Sequence, residues 1–288
     1  MIVVTGASGQ LGRMIVEQLL LLMPAAQIGA SVRDPEKAQE LAQRGVRVRR
    51  GDFTDPDSLL SAFEGATQVL LVSSNASAYG GDPIAQHRTA LDAARASGVG
   101  RIVYTSHMGA SPTSAFPPMR DHAATEEMLR SCGMVWTSLR NGFYASSGIQ
   151  LMGKAPETGV INAPADGKVS WTTHANLAEA AAYVLTHEGE FDGPTPPLTA
   201  SEALDLADLA ALASDVLGRP VRREVQPDGD AQAGMAARGL PPHVVDIVLG
   251  LYRASRVGEF ATVDPTLSRL LGHSPMPMRE SLKASLSA

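Results

Sequence analysis

The 288-residue sequence predicts an α/β protein built on a doubly wound parallel sheet, with a small helix-rich C-terminal lobe. Three observations predict it. Short β-branched runs alternate with helical patterns through the first half of the chain. A glycine-rich turn lies directly between the first strand and the first helix. The run TQVLLVSS at 67–74 is continuously apolar at its centre, as expected of a strand covered by helices on both faces.

The elements follow in order. MIVVT at 1–5 is a strand, and QLGRMIVEQLLLLM at 10–23 places apolar residues at helical spacing. QIGASV at 27–32 is the second strand. The helix at 35–45 ends at Gly45, and Asp34-Pro35-Glu36 supplies its N-cap, a proline at the first position and an acid in the first turn. The unit repeats with a strand at 46–50 and a helix at 55–65. A strand at 67–74, a helix at 84–98, a strand at 101–106, a helix at 123–133 and a strand at 135–140 complete the alternation. After residue 141 the rhythm breaks. A further strand is expected at 159–164, a helix returning to the sheet at 174–187, and a proline-rich linker at 190–198. The remainder predicts helices at 201–217, 229–239, 241–257 and 278–286.

TGASGQLG places Gly6, Gly9 and Gly12 as G-x-x-G-x-x-G between strand and helix. Gly6 permits a tight turn, Gly9 lets backbone approach a pyrophosphate, and Gly12 lets the helix pack on the strand. The helix N-terminus then offers N–H donors and a positive dipole end to the phosphates. Strand, motif, helix and the following βαβ pattern agree on a Rossmann-type, dinucleotide-binding domain. That domain is expected over 1–150 with a return segment at about 159–188, and a smaller substrate lobe over 190–288.

Composition narrows the function classes. A net charge of -6 argues against general nucleic-acid or membrane-surface binding, which needs a basic face. The single cysteine, Cys132, allows no intrachain disulfide, in keeping with a reducing cytoplasm, and it reads as a helix residue rather than a nucleophile. The N-terminus is already fold and shows no leader pattern, and the apolar run at 19–23 is too short to span a bilayer, so a cytoplasmic protein is expected. The seven histidines lack metal-ligand spacing and no G-x-S-x-G elbow is present, so neither a metal site nor a hydrolase is expected.

TGASGQLG, RDPEKA at 33–38, GDFTD at 51–55, HAATE at 122–126 and LRNGFY at 139–144 resemble, in order and spacing, the atypical short-chain dehydrogenase/reductases of the NmrA-like group. Within it the chain is most similar to the triphenylmethane reductases and type 2 quinone oxidoreductases. The resemblance implies that Gly6, Gly9, Gln10 and Leu11 line the pyrophosphate and that Arg33 lies beside the adenosine ribose. It implies that Asp52 and Phe53 hold the adenine edge, that Ser73 and Ser74 border the ribose and nicotinamide, and that Asn141, Gly142 and Phe143 close over the nicotinamide. The alternative for Asp52 is a turn or cap residue, and for Asn141 a helix cap. NADPH is expected in preference to NADH: Asp34 is occupied as a cap, which leaves Arg33 for the 2′-phosphate, unless Arg33 is only a solvated charge.

The wider superfamily carries a Tyr-x-x-x-Lys pair, and the resemblance places Pro118 and His122 at those positions, with Ser106 and His107 near the superfamily's catalytic serine. Oxidising an alcohol needs a base for a very weakly acidic hydroxyl, whereas a quinone or cationic dye needs mainly a positioned hydride. The expected activity is therefore an NAD(P)H-dependent reduction of quinones or related conjugated aromatics. Two alternatives stay open: tailoring of an aromatic polyketide quinone, including oxygenation of its hydroquinone, and non-catalytic redox sensing through bound NADP. His122 is the candidate proton donor, or else a packed helix residue; His107 is a site residue or a loop residue. Phe116, Met119 and Phe143 form an apolar platform or ordinary packing, and Trp171 and His174 precede a helix in a candidate substrate loop. The expected partners are a small aromatic substrate and a homodimer, with no nucleic acid and no membrane.

Overall fold

The computed structural model describes residues 1–286. The chain runs β1 (Ile2–Thr5), α1 (Gln10–Leu22), β2 (Ile28–Val32), α2 (Gln39–Gln43), β3 (Arg47–Arg50), α3 (Pro56–Phe63), β4 (Gln68–Leu71), α4 (Pro83–Ala96), β5 (Arg101–His107), α5 (Pro117–Arg130) and β6 (Val135–Asn141). It continues through β7 (Phe143–Tyr144), α6 (Ala145–Leu151), α7 (Ala155–Thr158), β8 (Val160–Pro164), β9 (Trp171–Thr172), α8 (His174–Thr186) and β10 (Gly193–Pro194). Last come α9 (Leu206–Leu217), β11 (Arg222–Gln226), α10 (Asp228–Ala237), α11 (Pro242–Arg256), α12 (Thr266–Leu271) and α13 (Met278–Leu286). The chain divides into two units. One holds Met1–Ser106, Asp121–Arg140 and Leu177–Thr195; the other holds His107–Arg120, Asn141–Asn176 and Pro196–Ala288.

The first unit is the Rossmann-type sheet. Among the described residues it has seven parallel strands in the order β10-β6-β5-β4-β1-β2-β3. The order reverses at β1, which pairs with β2 on one side and β4 on the other, and in doubly wound sheets ligands bind beyond the carboxyl ends of the strands at such a reversal. Val3, Phe63, Val69, Leu91, Ile102 and Tyr104 are among the residues of one fully buried core cluster. Asp55 and Asp82 cap α3 and α4, each with a proline in the first turn, where the missing N–H costs nothing.

Opposite the carboxyl ends, Arg101 organises a buried polar network and is only 4% exposed. Its guanidinium donates to Gln68 Oε1 at 2.9 Å, to the Val184 carbonyl at 3.2 Å and to Thr137 Oγ1 at 3.0 Å. Gln68 in turn donates to the Leu185 carbonyl at 3.2 Å and to Glu188. One side chain thereby ties β4, β5, β6 and the end of α8 together.

The second unit contains two small parallel pairs, β8 with β11 and β7 with β9. Its core includes Phe116, Phe143, Trp171, Tyr252 and Phe260. No helix among the described residues is long and apolar enough to cross a membrane.

Several elements differ from the sequence expectation. The segment 190–198, expected as a linker, carries β10, the seventh strand of the sheet. Its proline is tolerated because β10 is an edge strand, with Thr195 N–H donating to the Ser138 carbonyl at 2.9 Å. α5 begins at Pro117, six residues before the expected start, because two prolines fit the first turn of a helix as well as they fit a loop. The strand expected at 159–164 pairs with β11, which was not anticipated. The units cut across the expected boundaries at 150 and 190, since Asn141–Asn176 belongs to the second unit and Leu177–Thr195 to the first.

Replacing Arg101 by Met keeps the apolar stem but strands the Val184 carbonyl, Gln68 and Thr137 without a donor. Urea unfolding of Arg101→Met should show a loss of about 2–4 kcal/mol. A loss under about 0.5 kcal/mol would mean that the network does not hold α8 to the sheet.

Candidate active site

The turn after β1 adopts the shape that its glycines allow. Gly6 has φ +59, in the left-handed region. Gly9 N–H donates to the Gly6 carbonyl at 2.9 Å, and a β-carbon on Gly12 would collide with that same carbonyl oxygen. Gly9 is the N-cap of α1, with no side-chain cap bond and no acidic residue in the first turn among the described residues. The backbone N–H groups of Gln10, Leu11 and Gly12 are thus left to an anionic ligand. This glycine cradle at the sheet reversal fits a dinucleotide pyrophosphate.

The adenosine end follows β2 and β3. Arg33 is exposed and enters no ion pair or hydrogen bond among the described residues. Asp34 is the cap expected of it, at the start of a 3-10 turn (Pro35–Ala38) that precedes α2 in the expected helix: its carboxylate accepts from Glu36 N–H at 3.2 Å and lies 3.7 Å from Lys37 Nζ. Asp52 accepts from Thr54 N–H at 2.9 Å and Thr54 O–H at 2.8 Å. The Thr54 N–H does most to hold its carboxyl below the usual range; burial opposes this, and the Thr54 hydroxyl, Arg50 and Arg33 add to it. Asp52 is therefore a turn residue whose charge persists at neutral pH. Phe53 presents its ring edge-on to His87 at 6.4 Å.

Beyond β4, Ser73 N–H donates to Thr105 Oγ1 at 2.8 Å, and Ser74 N–H donates to His87 Nε2 at 2.8 Å. Ser74 O–H donates to Gln86 Oε1 at 2.5 Å. Because His87 Nε2 accepts, Nδ1 carries the proton and donates to Thr125 Oγ1 at 2.8 Å, and Thr125 O–H passes on to the Asp121 carbonyl at 2.8 Å. Burial pushes His87 down to about 3, so the imidazole is neutral. Sequence reasoning missed His87. Its signal was position: it shares the buried stripe of α4 with Ala90, Leu91 and Ala94.

The polar centre of this unit is Glu126. Its carboxylate accepts from Ser106 O–H at 2.8 Å, Ser138 O–H at 2.8 Å, and Arg140 at 3.1 and 2.7 Å. Burial acts to raise the carboxyl, but these donors outweigh it and hold the group ionised. Ser106 is buried, with its hydroxyl committed to Glu126. His122 lies one helical turn before Glu126, and its Nδ1 is 2.8 Å from the Tyr104 hydroxyl. Burial lowers His122 to about 4 against the pull of Glu126, so at pH 7 it is a neutral imidazole rather than a cationic acid. Pro118, in the tyrosine position of the pattern, sits in the first turn of α5.

The second unit holds Asn141, Gly142, Phe143 and His107. Asn141 ends β6, so it caps no helix; its carbonyl accepts from Met108 N–H at 2.8 Å, and its side-chain Oδ1 is buried without a partner. Gly142 is pressed against Thr172 and the Leu198 carbonyl, leaving no room for a β-carbon. His107 accepts from Gly109 N–H at 3.1 Å and packs edge-on against Phe143 at 5.1 Å and Phe260 at 5.5 Å. Phe116 and Phe143 are each 8% exposed, while Met119 and Trp171 are buried, Trp171 donating to the Leu204 carbonyl at 2.9 Å. Thr173, rather than His174, caps α8 by accepting from Asn176 N–H at 3.2 Å. Among the described residues no group of three or more His, Cys, Asp or Glu could hold a metal ion.

Comparison with known proteins agrees with this geometry. Residues 6–188 match the family model described as NAD(P)H-binding. Quinone oxidoreductase 2 of Escherichia coli strain K12 is 38% identical over 283 residues, covering 98% of this chain and 97% of that protein. Its structure as an NADPH-dependent enzyme in complex with NADPH superposes with a TM-score of 0.92, covering 99% of both chains. The triphenylmethane reductase of Citrobacter sp., in complex with NADP(H), is 34% identical with a TM-score of 0.88, covering 99% of this chain and 100% of that one. An NAD(P)H azoreductase of Xenophilus azovorans is 30% identical, covering 100% of this chain and 99% of that protein.

His87 gives stability an acid dependence. Its folded value of about 3 lies below the ordinary 6.5, so on acidification the unfolded chain takes up the proton first. The contribution is complete above pH 6.5 and is lost as pH falls toward 3, at up to about 1.4 kcal/mol per pH unit. His87→Gln should flatten the fall of unfolding free energy across that window. A slope equal to wild type would show that His87 is not held neutral.

Proposed function

The chain belongs to the NAD(P)H-binding, NmrA-like group of atypical short-chain dehydrogenase/reductases, and from that membership we propose that it is an NADPH-dependent reductase of quinones or related conjugated aromatic acceptors. The observation that carries this reading is what stands in place of the superfamily's proton-transfer pair. Pro118 has no proton to move, and His122 is neutral and bonded to Tyr104. Removing a proton from an alcohol needs a stronger base than His122, which burial holds at about 4, whereas a quinone or a triarylmethyl cation accepts hydride without one.

NADPH supplies a hydride when bound. Gly6, Gly9, Gln10, Leu11 and Gly12 would take the pyrophosphate through backbone N–H groups and the dipole of α1. Arg33 would meet the 2′-phosphate, because Asp34, the acid that would otherwise select a 2′-hydroxyl, is occupied at its own helix start. Asp52 and Phe53 would border the adenine, and Ser73 and Ser74 the ribose, their loop held by His87 and Thr105. Asn141, Gly142 and Phe143 would serve the nicotinamide; the unpartnered Asn141 Oδ1 is suited to a carboxamide N–H.

Purified protein should oxidise NADPH when given a naphthoquinone or a triphenylmethane dye, and should not reduce NADP with simple secondary alcohols. NADP binding without turnover across a broad acceptor panel would instead favour a sensing role. In equilibrium titrations, Arg33→Ala should weaken NADPH by about tenfold to a hundredfold and barely change NADH. Equal losses for the two cofactors, or a wild-type preference for NADH, would overturn the role of Arg33.

A further inference from the structure

Hydride transfer to a quinone breaks one C–H bond of the reduced nicotinamide, forms a C–H bond at a ring carbon conjugated to a carbonyl, and drives the π pair onto that carbonyl's oxygen. A proton from water on that oxygen and enolisation of the second carbonyl complete the hydroquinone, and oxidised nicotinamide is the other product. Charge builds on that oxygen, so a hydrogen-bond donor aimed at it lowers the barrier. Ser106 cannot easily serve, because its O–H is committed to Glu126. Tyr104 is fully buried and bonded to His122.

Tyr144 is different. Its ring is half-buried, yet its phenol O–H meets no acceptor among the described residues. The ring stacks on His174, centroid to centroid at 4.1 Å with the planes 30° apart, and the His174 imidazole likewise spends no hydrogen bond within the described chain. Resting on the reductase reading above, we propose that Tyr144 donates the hydrogen bond that meets the acceptor oxygen, and that His174 is its positioning residue.

Three features fix the donor. Tyr144 directly follows Asn141, Gly142 and Phe143, the residues that the reductase reading assigns to the nicotinamide. The intervening Gly142 is locked against Thr172 and the Leu198 carbonyl. The β7·β9 pairing sets Phe143 opposite Trp171 and Tyr144 opposite Thr172. Strand alternation then sends Phe143 and Trp171 into the aromatic core and Tyr144 to the other face. Burial raises the phenol to about 12 and lowers His174, so both are neutral at pH 7. Such a phenol donates a hydrogen bond without surrendering its proton, which leaves water as the proton source.

Tyr144→Phe removes the hydroxyl and keeps the ring. With naphthoquinone as acceptor, NADPH-dependent kcat should fall by about tenfold to a hundredfold. A triarylmethyl cation ends as a neutral product with no charged oxygen, so the ratio of quinone to dye turnover should drop at least about tenfold. Calorimetry should show the NADP complex binding a hydroxynaphthoquinone anion about tenfold more weakly in Tyr144→Phe. His174→Phe, which retains a stacked ring, should recover most of the ratio that His174→Ala loses. An unchanged ratio in Tyr144→Phe, or equal losses on both acceptors, overturns the Tyr144 role and leaves the reductase reading standing. His174→Phe performing no better than His174→Ala overturns the positioning role. Wild-type protein that turns over neither acceptor overturns the reductase reading, and this donor with it.

Discussion

At Gly12 the first turn of α1 runs so close to the Gly6 carbonyl that any side chain would drive the two apart. That approach depends on the left-handed conformation of Gly6 and determines where the helix N–H groups end up. The cost is visible in the capping. Asp55, Asp82 and Asp205 each close the start of their helices, an arrangement usually worth about 1 kcal/mol, whereas α1 begins on a bare glycine. The start of α1, at the sheet reversal, thus keeps its first N–H groups free of any side-chain cap.

Two buried networks brace the ends of the central strands. Glu126 gathers donors from β5 and β6, so the strand ends carrying Ser106, Ser138 and Arg140 share one anchor on α5. His87 performs the matching task for the loop after β4, taking Ser74 N–H on one nitrogen and reaching Thr125 of α5 with the other. Both arrangements are fully bonded, and this makes them durable, since removing one partner of a buried polar group costs more than the bond itself contributes. Both networks thus anchor on α5, through Thr125 and Glu126.

What was legible in the sequence was local. The glycine turn, the Asp34 cap and the apolar central strands each follow from a few adjacent residues whose backbone preferences point one way. β10 was not legible, because two residues ending in proline carry no strand period, and only the neighbouring edge of β6 makes them a strand. β11, RREVQ, is largely polar and reveals itself only by pairing with β8. The same division runs through the candidate site. Its phosphate end is contiguous in sequence, whereas Phe116, Phe143, Trp171 and Phe260 come from distant segments and no periodicity links them. His122 and Ser106 stood at recognisable positions, but burial and hydrogen bonding decided their protonation and availability.

The chain passes between its two units five times, after Ser106, Arg120, Arg140, Asn176 and Thr195. Neither unit is therefore a continuous stretch that could be cut out, fused elsewhere or inherited as a module. A gene-level exchange of one half would sever the sheet strands that the other half interrupts. Changes to the second unit have to arise residue by residue, in segments such as 107–120 and 141–176, while the strands of the first unit's sheet are kept.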